Sequence, residues 1–278
     1  MIKSGYDDIT MMKVGSDDII KAYQGSTLLW DNTHQYTNLT CWYNVEIPGV
    51  TKIVDTIPSY VSTMIVDGVE EAPSTGYTFG AGVHVVEWDL DGQTTVPSSM
   101  FNYVTTLTKV FLPSGTTEVG DYAFHRCDNL WQINMENTVI TRIGKSSFNY
   151  FGMAHLSTPY AEIHMPSTLR EIAQDAFRDT KIVGGVHLNE GLETIGRKAF
   201  NNSDSAAYQI TIPSTVTFIG GDCLSTMEYI RFEGLTPPTF GESSEWGGEH
   251  LYAIYVPQAS IDLYKAALPQ FADKIVGY

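Results

Sequence analysis

The sequence predicts a mainly β protein: an N-terminal β-meander, a small β-sandwich, then a solenoid of short strands closed by a C-terminal helix. Three observations lead there. A phrase of the form Ile-Gly-x-x-Ala-Phe is written five times between Val119 and Leu224. An alternating apolar triplet accompanies every copy, and a different repeat of ten residues opens the chain.

Residues 1–35 carry that opening repeat. Lys3-Ser-Gly5-Tyr-Asp7-Asp8-Ile9 and Lys13-Val-Gly15-Ser-Asp17-Asp18-Ile19 are ten residues apart, and Gly25 keeps the period. Ten residues suffice for a strand and a turn, so the stretch reads as a β-meander turning near Gly5, Gly15 and Gly25. So small a piece needs a partner surface to be stable. The doubled aspartates have two readings, oxygen ligands for a calcium ion or turn residues facing water; no Asp-x-Asp-x-Asp-Gly loop accompanies them, which favours the second. Tyr23-Gln-Gly25-Ser-Thr-Leu-Leu-Trp30 resembles N-terminal segments of structural proteins from phages of gut bacteria. That resemblance implies attachment to other virion proteins through residues 1–35.

Residues 36–93 change pattern. Cys41-Trp-Tyr-Asn-Val-Glu-Ile, Ser62-Thr-Met-Ile-Val, Gly76-Tyr-Thr-Phe and Gly82-Val-His-Val-Val-Glu-Trp-Asp-Leu are strand-like runs separated by Pro, Gly and Asp turns. A small antiparallel (Ig-like) sandwich fits them best.

Residues 94–257 form the solenoid. The phrase reads Val119-Gly120-x-x-Ala123-Phe124, Ile143-Gly144-x-x-Ser147-Phe148, Ile172-Ala173-x-x-Ala176-Phe177, Ile195-Gly196-x-x-Ala199-Phe200 and Ile219-Gly220-x-x-Cys223-Leu224. Its last residue recurs at intervals of 24, 29, 23 and 24, the period of a stacked repeat. The triplets are Val110-Phe111-Leu112, Ile133-Asn134-Met135, Ile163-His164-Met165, Val186-His187-Leu188 and Ile210-Thr211-Ile212. Their outer residues point inward by strand alternation, and the Ile-Gly and Ala-Phe pairs close the other side of the coil. One copy buries too little apolar surface alone, so stacking is obligatory. Pro113, Pro166 and Pro213 end three triplets, and the glycines suit a corner or a close backbone approach. Val96, Met100 and Phe101 make a degenerate opening copy.

The phrase Ile-x-Ile-Pro-Ser-Thr-Val-x-x-Ile-Gly, intact from Ile210 to Gly220 and nearly so from Ile163 to Ala173, resembles the BspA-like leucine-rich repeats. The resemblance implies a solenoid with a parallel sheet and a role in adhesion or recognition. In such chains a segment ending in a Gly-x-His-x-Val strand, as at Gly82 to Val86, leads into the first repeat. The sequence departs from the pattern in its second copy, where 151–158 read as an insertion.

Residues 258–278 supply the cap. Ile230-Arg-Phe232 and Ile254-Tyr-Val256 add two more rungs around an irregular 234–248 loop. Beyond Pro257, Ile261, Tyr264, Leu268 and Phe271 recur at helical spacing, and Pro269 cuts the helix short. Such a helix covers the last open rung, which otherwise exposes core and strand edge.

Composition limits the partners. With 43% hydrophobic and 17% charged residues, the chain can bury a substantial core. A net charge of -16 argues against nucleic acid or an anionic membrane surface. Cys41, Cys127 and Cys223 lack CxxC spacing, so neither a zinc ribbon nor a redox pair is expected. No run approaches the ~20 apolar residues of a membrane span, so no membrane insertion is expected. The start at Met1 lacks the pattern of a secretory signal, which leaves a trimmed signal or none; the initiating methionine favours none.

Catalytic motifs are missing: no nucleophile elbow, no His-Glu-x-x-His and no phosphate loop occurs. The best enzyme-like feature is His164 with His187, on neighbouring strands about 4.8 Å apart. With Glu162 they would make a metal site or a pH-sensitive patch, but histidines on an outward face need no function. No enzyme, no cofactor and no metal are expected. The middle residues Phe111, Asn134, His164, His187, Thr211, Arg231 and Tyr255 should form one outward column, flanked by Lys109, Gln132, Glu162, Gln209 and Tyr229. Tyr and Arg are typical interface anchors. The expected ligand face is therefore Phe111, Asn134, His164, His187, Thr211, Tyr229, Arg231 and Tyr255, with Trp246 in the neighbouring loop. An ordinary solvated sheet face is the competing reading.

Two functional classes follow. One is a non-enzymatic virion component, anchored by residues 1–35, for decoration or host recognition. The other is a secreted or cell-surface adhesin. Both expect a surface protein or a glycan as ligand and allow a homo-oligomer.

Overall fold

The computed structural model describes residues 2–3, 9–13, 19–24, 27–31, 38–153, 163–182, 186–202, 204–205, 209–242 and 251–278; before residue 38, and at 163, 181–182 and 204–205, the description is of backbone alone. The chain divides into two compact units, Met1–Thr37 and Asn38–Tyr278.

The first unit is a four-stranded antiparallel sheet of Ile2–Lys3, Ile9–Lys13, Ile19–Gln24 and Thr27–Asp31, each strand paired with the next in the chain. That is the expected meander. The doubled aspartates and the glycine turns lie outside the described residues.

In the second unit the solenoid is a β-coil with two main parallel faces and one further parallel pair, Lys181–Ile182 with Asp204–Ser205. The Ile-Gly phrases are themselves strands: Thr95–Val96, Glu118–Val119, Arg142–Ile143, Glu171–Ile172, Thr194–Ile195, Phe218–Ile219 and Thr239–Phe240 form one unbroken seven-stranded parallel sheet. The sequence puts these phrases on the other side of the coil, their glycines at a corner or a close backbone approach, without showing that they are strands. The apolar member of each of the first six pairs is fully buried, and its outward neighbour is Thr, Glu, Arg or Phe. The following residue donates its N–H to the apolar residue's carbonyl one rung back, as Gly196 does to Ile172 and Gly220 to Ile195, both at 2.7 Å. Rungs approach so closely here that a Cβ at Gly220 would sit 2.2 Å from the Arg197 nitrogen. Glycine is thus selected by contact with the next backbone.

A turn follows each Ile-Gly strand, and successive turns also bond to one another: Phe101 N–H donates to Ala123 O, Phe124 to Ser147, Phe148 to Ala176 and Phe177 to Ala199, at 2.8–2.9 Å. The phenylalanines they carry are buried and nearly parallel, with centroids of Phe101, Phe124, Phe148, Phe177 and Phe200 separated by 5.2, 5.3, 5.2 and 5.6 Å in turn. Each of the three inner rings lies between two others, which is the cooperative stacking the sequence called for.

Among the described residues the triplet sheet comes in three pieces. Leu107–Phe111 pairs with Gln132–Ile133, Ile163–His164 with Val186–His187, and Gln209–Ile212 continues through Tyr229–Phe232 and Ala253–Val256 to Ile275–Gly277. All these pairings are parallel. The last strand, beyond the expected helix, extends the sheet edge. The helix itself spans Ile261–Ala267, buries Tyr264 against Phe232 at 5.1 Å and sends the Tyr264 hydroxyl to the Gly234 carbonyl at 2.9 Å.

Across the position that divides sandwich from solenoid in the sequence, one sheet runs through. Leu39–Val45 pairs antiparallel with Gly82–Trp88 on one side and with Leu107–Phe111 on the other, while Gly49–Lys52 and Gly76–Phe79 form a separate two-stranded antiparallel sheet. One apolar core extends from Leu39 to Ile275. Residues 38–93 therefore close the N-terminal end of the coil, as the helix region closes the other. Cys41, Cys127 and Cys223 are free and buried; desolvation pushes the Cys223 thiol up to about 12, which leaves it inert at neutral pH.

Candidate recognition surface

Strand register brings most of the expected column together. His164 pairs with His187, Thr211 with Arg231, Arg231 with Tyr255, and Tyr255 with Val276. Alternation turns these residues outward while Ile210, Ile212, Ile230, Phe232, Ile254 and Val256 are buried. His164 and His187 are exposed, with rings stacked at 5.1 Å and 10° between planes. Glu162 lies outside the described residues, as does Trp246, and no metal-ligating group of three side chains occurs among the described ones.

The first two rungs depart from the expectation. Phe111 does not face solvent: its strand has Leu39–Val45 as an antiparallel neighbour, and Trp42 covers its ring edge-on at 5.0 Å. A register shift between Leu107 and Lys109 accompanies that pairing. Lys109 is drawn under the same cover, 4.7 Å over the Trp131 ring, and burial pulls its ammonium down to about 8. Asn134 is buried too. Its side chain accepts from Leu112 N–H at 2.6 Å and donates to Leu112 O at 3.0 Å, replacing the strand ladder where the chain enters the Met135–Asn137 turn. An asparagine amide that mimics a peptide group can do this.

At the opposite end the face is open and aromatic. Tyr229 lies 6.4 Å from Tyr255 and 5.7 Å from Tyr252. The Arg231 guanidinium stacks 3.6 Å over the ring of Tyr278, whose hydroxyl donates to Phe232 O at 3.1 Å. Tyr252 and Tyr278 were not foreseen. Tyr278 follows a terminal strand that sequence patterning had left inside the cap, and Tyr252 precedes the Ala253–Val256 strand by one residue. They are 62% and 45% exposed, which marks rings held in place without being covered.

Charge pairing separates Arg231 from most other arginines. Arg142 meets Glu118 at 2.7 Å, Arg178 meets Asp179 at 3.2 Å, Arg197 meets Asp222 at 3.3 Å and Arg170 meets Glu193 at 3.9 Å. Among the described residues Arg231 has no carboxylate partner, only the tyrosine ring. A guanidinium oriented by an aromatic face keeps its donors available, which suits it to contact a partner.

The stacked rungs define a solenoid repeat protein. The match to known families is to the BspA type leucine rich repeat region, over residues 87–160 and 153–236. The chain belongs to that family, since the match covers more than half of its 278 residues. A crystal structure of a leucine-rich repeat protein from Bacteroides ovatus ATCC 8483 is similar at 18% identity and a TM-score of 0.39, covering 77% of this chain and 65% of that one. The chain thus spans just under two thirds of that protein's length. No curated protein matches.

Proposed function

We propose that this is a non-enzymatic, adhesin-like recognition protein whose triplet sheet contacts a partner protein at its C-terminal end. The observation that carries the proposal is Arg231, stacked on Tyr278 without a carboxylate partner among the described residues and neighboured by Tyr229, Tyr252 and Tyr255. Membership of a family of binding repeats supports it. Arg231→Ala, Tyr229→Ala and Tyr255→Ala should each weaken attachment to cells or purified envelope by about 1 kcal/mol, roughly fivefold, with the melting curve unchanged. If all three variants attach like the parent while deletion of 242–249 destroys attachment, the sheet is only a spacer.

A second reading is that of a virion component. It is favoured by Met1–Thr37 forming a unit of its own, as an attachment segment should. The family match begins at residue 87 and lends the reading no support. Removal of residues 1–31 should leave the remainder folded and abolish incorporation into particles; co-sedimentation of the native protein with cell envelope alone would eliminate this reading.

A further inference from the structure

Five turns of the solenoid each hold two residues in the left-handed region, and a sixth holds one. The first series is Ser99, Tyr122, Ser146, Asp175, Lys198 and Asp222, the second Tyr103, Arg126, Tyr150, Asp179 and Asn202, all with φ between 50° and 63°. Side chains other than Asn and Asp are disfavoured there, because only a short polar side chain recovers a local hydrogen bond. The later turns comply at Asp175, Asp179, Asn202 and Asp222. The early turns instead carry three tyrosines and an arginine. The geometry belongs to the fold, but the choice of rings there does not.

Those residues meet. The Arg126 guanidinium lies 4.0 Å over Tyr150 and 5.8 Å from Tyr103, so it sits between rings of the rungs on either side. His125 lies edge-on to Tyr103 at 5.3 Å, Tyr122 at 5.8 Å and Tyr150 at 6.4 Å. Lys145 is 5.9 Å over Tyr122. Tyr103 and Tyr122 are exposed.

The imidazole is fixed from behind. Lys52 bonds Asp55, Asp55 accepts from the Asn102 amide nitrogen at 3.5 Å, and the Asn102 oxygen faces His125 Nδ1 at 3.0 Å. That oxygen can only accept, so Nδ1 carries the proton and Nε2 is left as an acceptor. Burial and Arg126 both lower the His125 pKa, which favours this neutral form. Arg126, like Arg231, has no carboxylate within ion-pair distance among the described residues; Asp128 is the acid that acts on it electrostatically, and Asp121 is engaged by Arg142 and the Lys145 N–H.

We propose that this turn edge binds an acidic oligosaccharide, a chain of pyranose rings carrying carboxylates. Flat exposed rings on consecutive rungs stack on sugar C–H faces, His125 Nε2 accepts from a hydroxyl, and the unpaired Arg126 and Lys145 receive the carboxylate. The overall charge of -16 does not oppose a short ligand, since screening confines its field to about 8 Å at physiological salt.

The test is calorimetric titration of the full chain with hexagalacturonate, its methyl ester and 3′-sialyllactose. Saturable binding of hexagalacturonate or of sialyllactose is expected and tells which source of carboxylate the site takes; the ester, with rings intact and charge removed, should bind about tenfold more weakly. Tyr103→Asn and Arg126→Gln should each lose about tenfold as well. Asparagine suits the left-handed backbone, so Tyr103→Asn should keep the parent melting temperature. Arg231→Ala should bind like the parent, which separates this site from the triplet face. No saturation by either acid at millimolar concentration, equal binding of the ester, or parental affinity in both turn variants overturns the proposal.

Discussion

The two sheets of the coil are built from the same rungs and differ in how far the sequence may vary. In the Ile-Gly sheet six of the seven strands are followed by glycine or alanine, and the sheet is unbroken over all seven. In the triplet sheet the middle residue changes from Phe to Asn, His, Thr, Arg and Tyr, and among the described residues the sheet comes in pieces. Constancy follows distance: where backbones approach to the point that a Cβ has no room, only glycine or one alanine is found. Outward positions of the triplet sheet meet no such limit. The constant side holds the stack together, and the variable side is free to change without cost to it.

The sharpest way to break this comparison is at the phenylalanine column. Phe177 is fully buried between Phe148 and Phe200, so Phe177→Ala should destabilise by about 3–5 kcal/mol in a denaturant titration. Because each rung supports the next, the transition should also broaden or divide as the stack is interrupted.

A smaller effect is expected from backbone contact alone. Gly220→Ala puts a methyl 2.2 Å from the Arg197 nitrogen, and overpacking of this kind costs about 1–3 kcal/mol. Gly115 has open space around its Cβ position and no positive φ; alanine there should be neutral or stabilise by about 0.4–1 kcal/mol. Ala173 occupies the equivalent place in one rung and keeps its bond to Ile143 O at 2.9 Å, so a neighbouring rung can sometimes give. Equal melting temperatures for the two glycine variants would show that close approach does not fix the stack.

The difference between the sheets also explains what the sequence disclosed. Period, Phe column, inward triplet residues and C-terminal helix were legible because each rests on apolar residues at a fixed interval. The second sheet was not, since a strand of two residues such as Glu118–Val119 has no room to display alternation. Phe111 and Asn134 were misplaced for another reason: what covers them, Trp42 and the Leu112 backbone, is 69 and 22 residues away in the chain. The aromatic turn edge escaped notice because Tyr103, Tyr122 and Tyr150 do not repeat at one interval; they come from two different positions of the turn.

The smallest effect belongs to the outward histidines. His164 and His187 are exposed and their stacked rings contribute little that water would not replace, so His164→Ala should shift stability by no more than about 0.5 kcal/mol. The same substitution deprives His187 of its ring neighbour and leaves the buried Met165 of its own triplet in place. Measured beside Phe177→Ala under identical conditions, it reads the inward and outward assignments directly. A loss approaching that of the phenylalanine variant would mean that the histidine face is packed against something, and that the triplet sheet is no more open to partners than the sheet behind it.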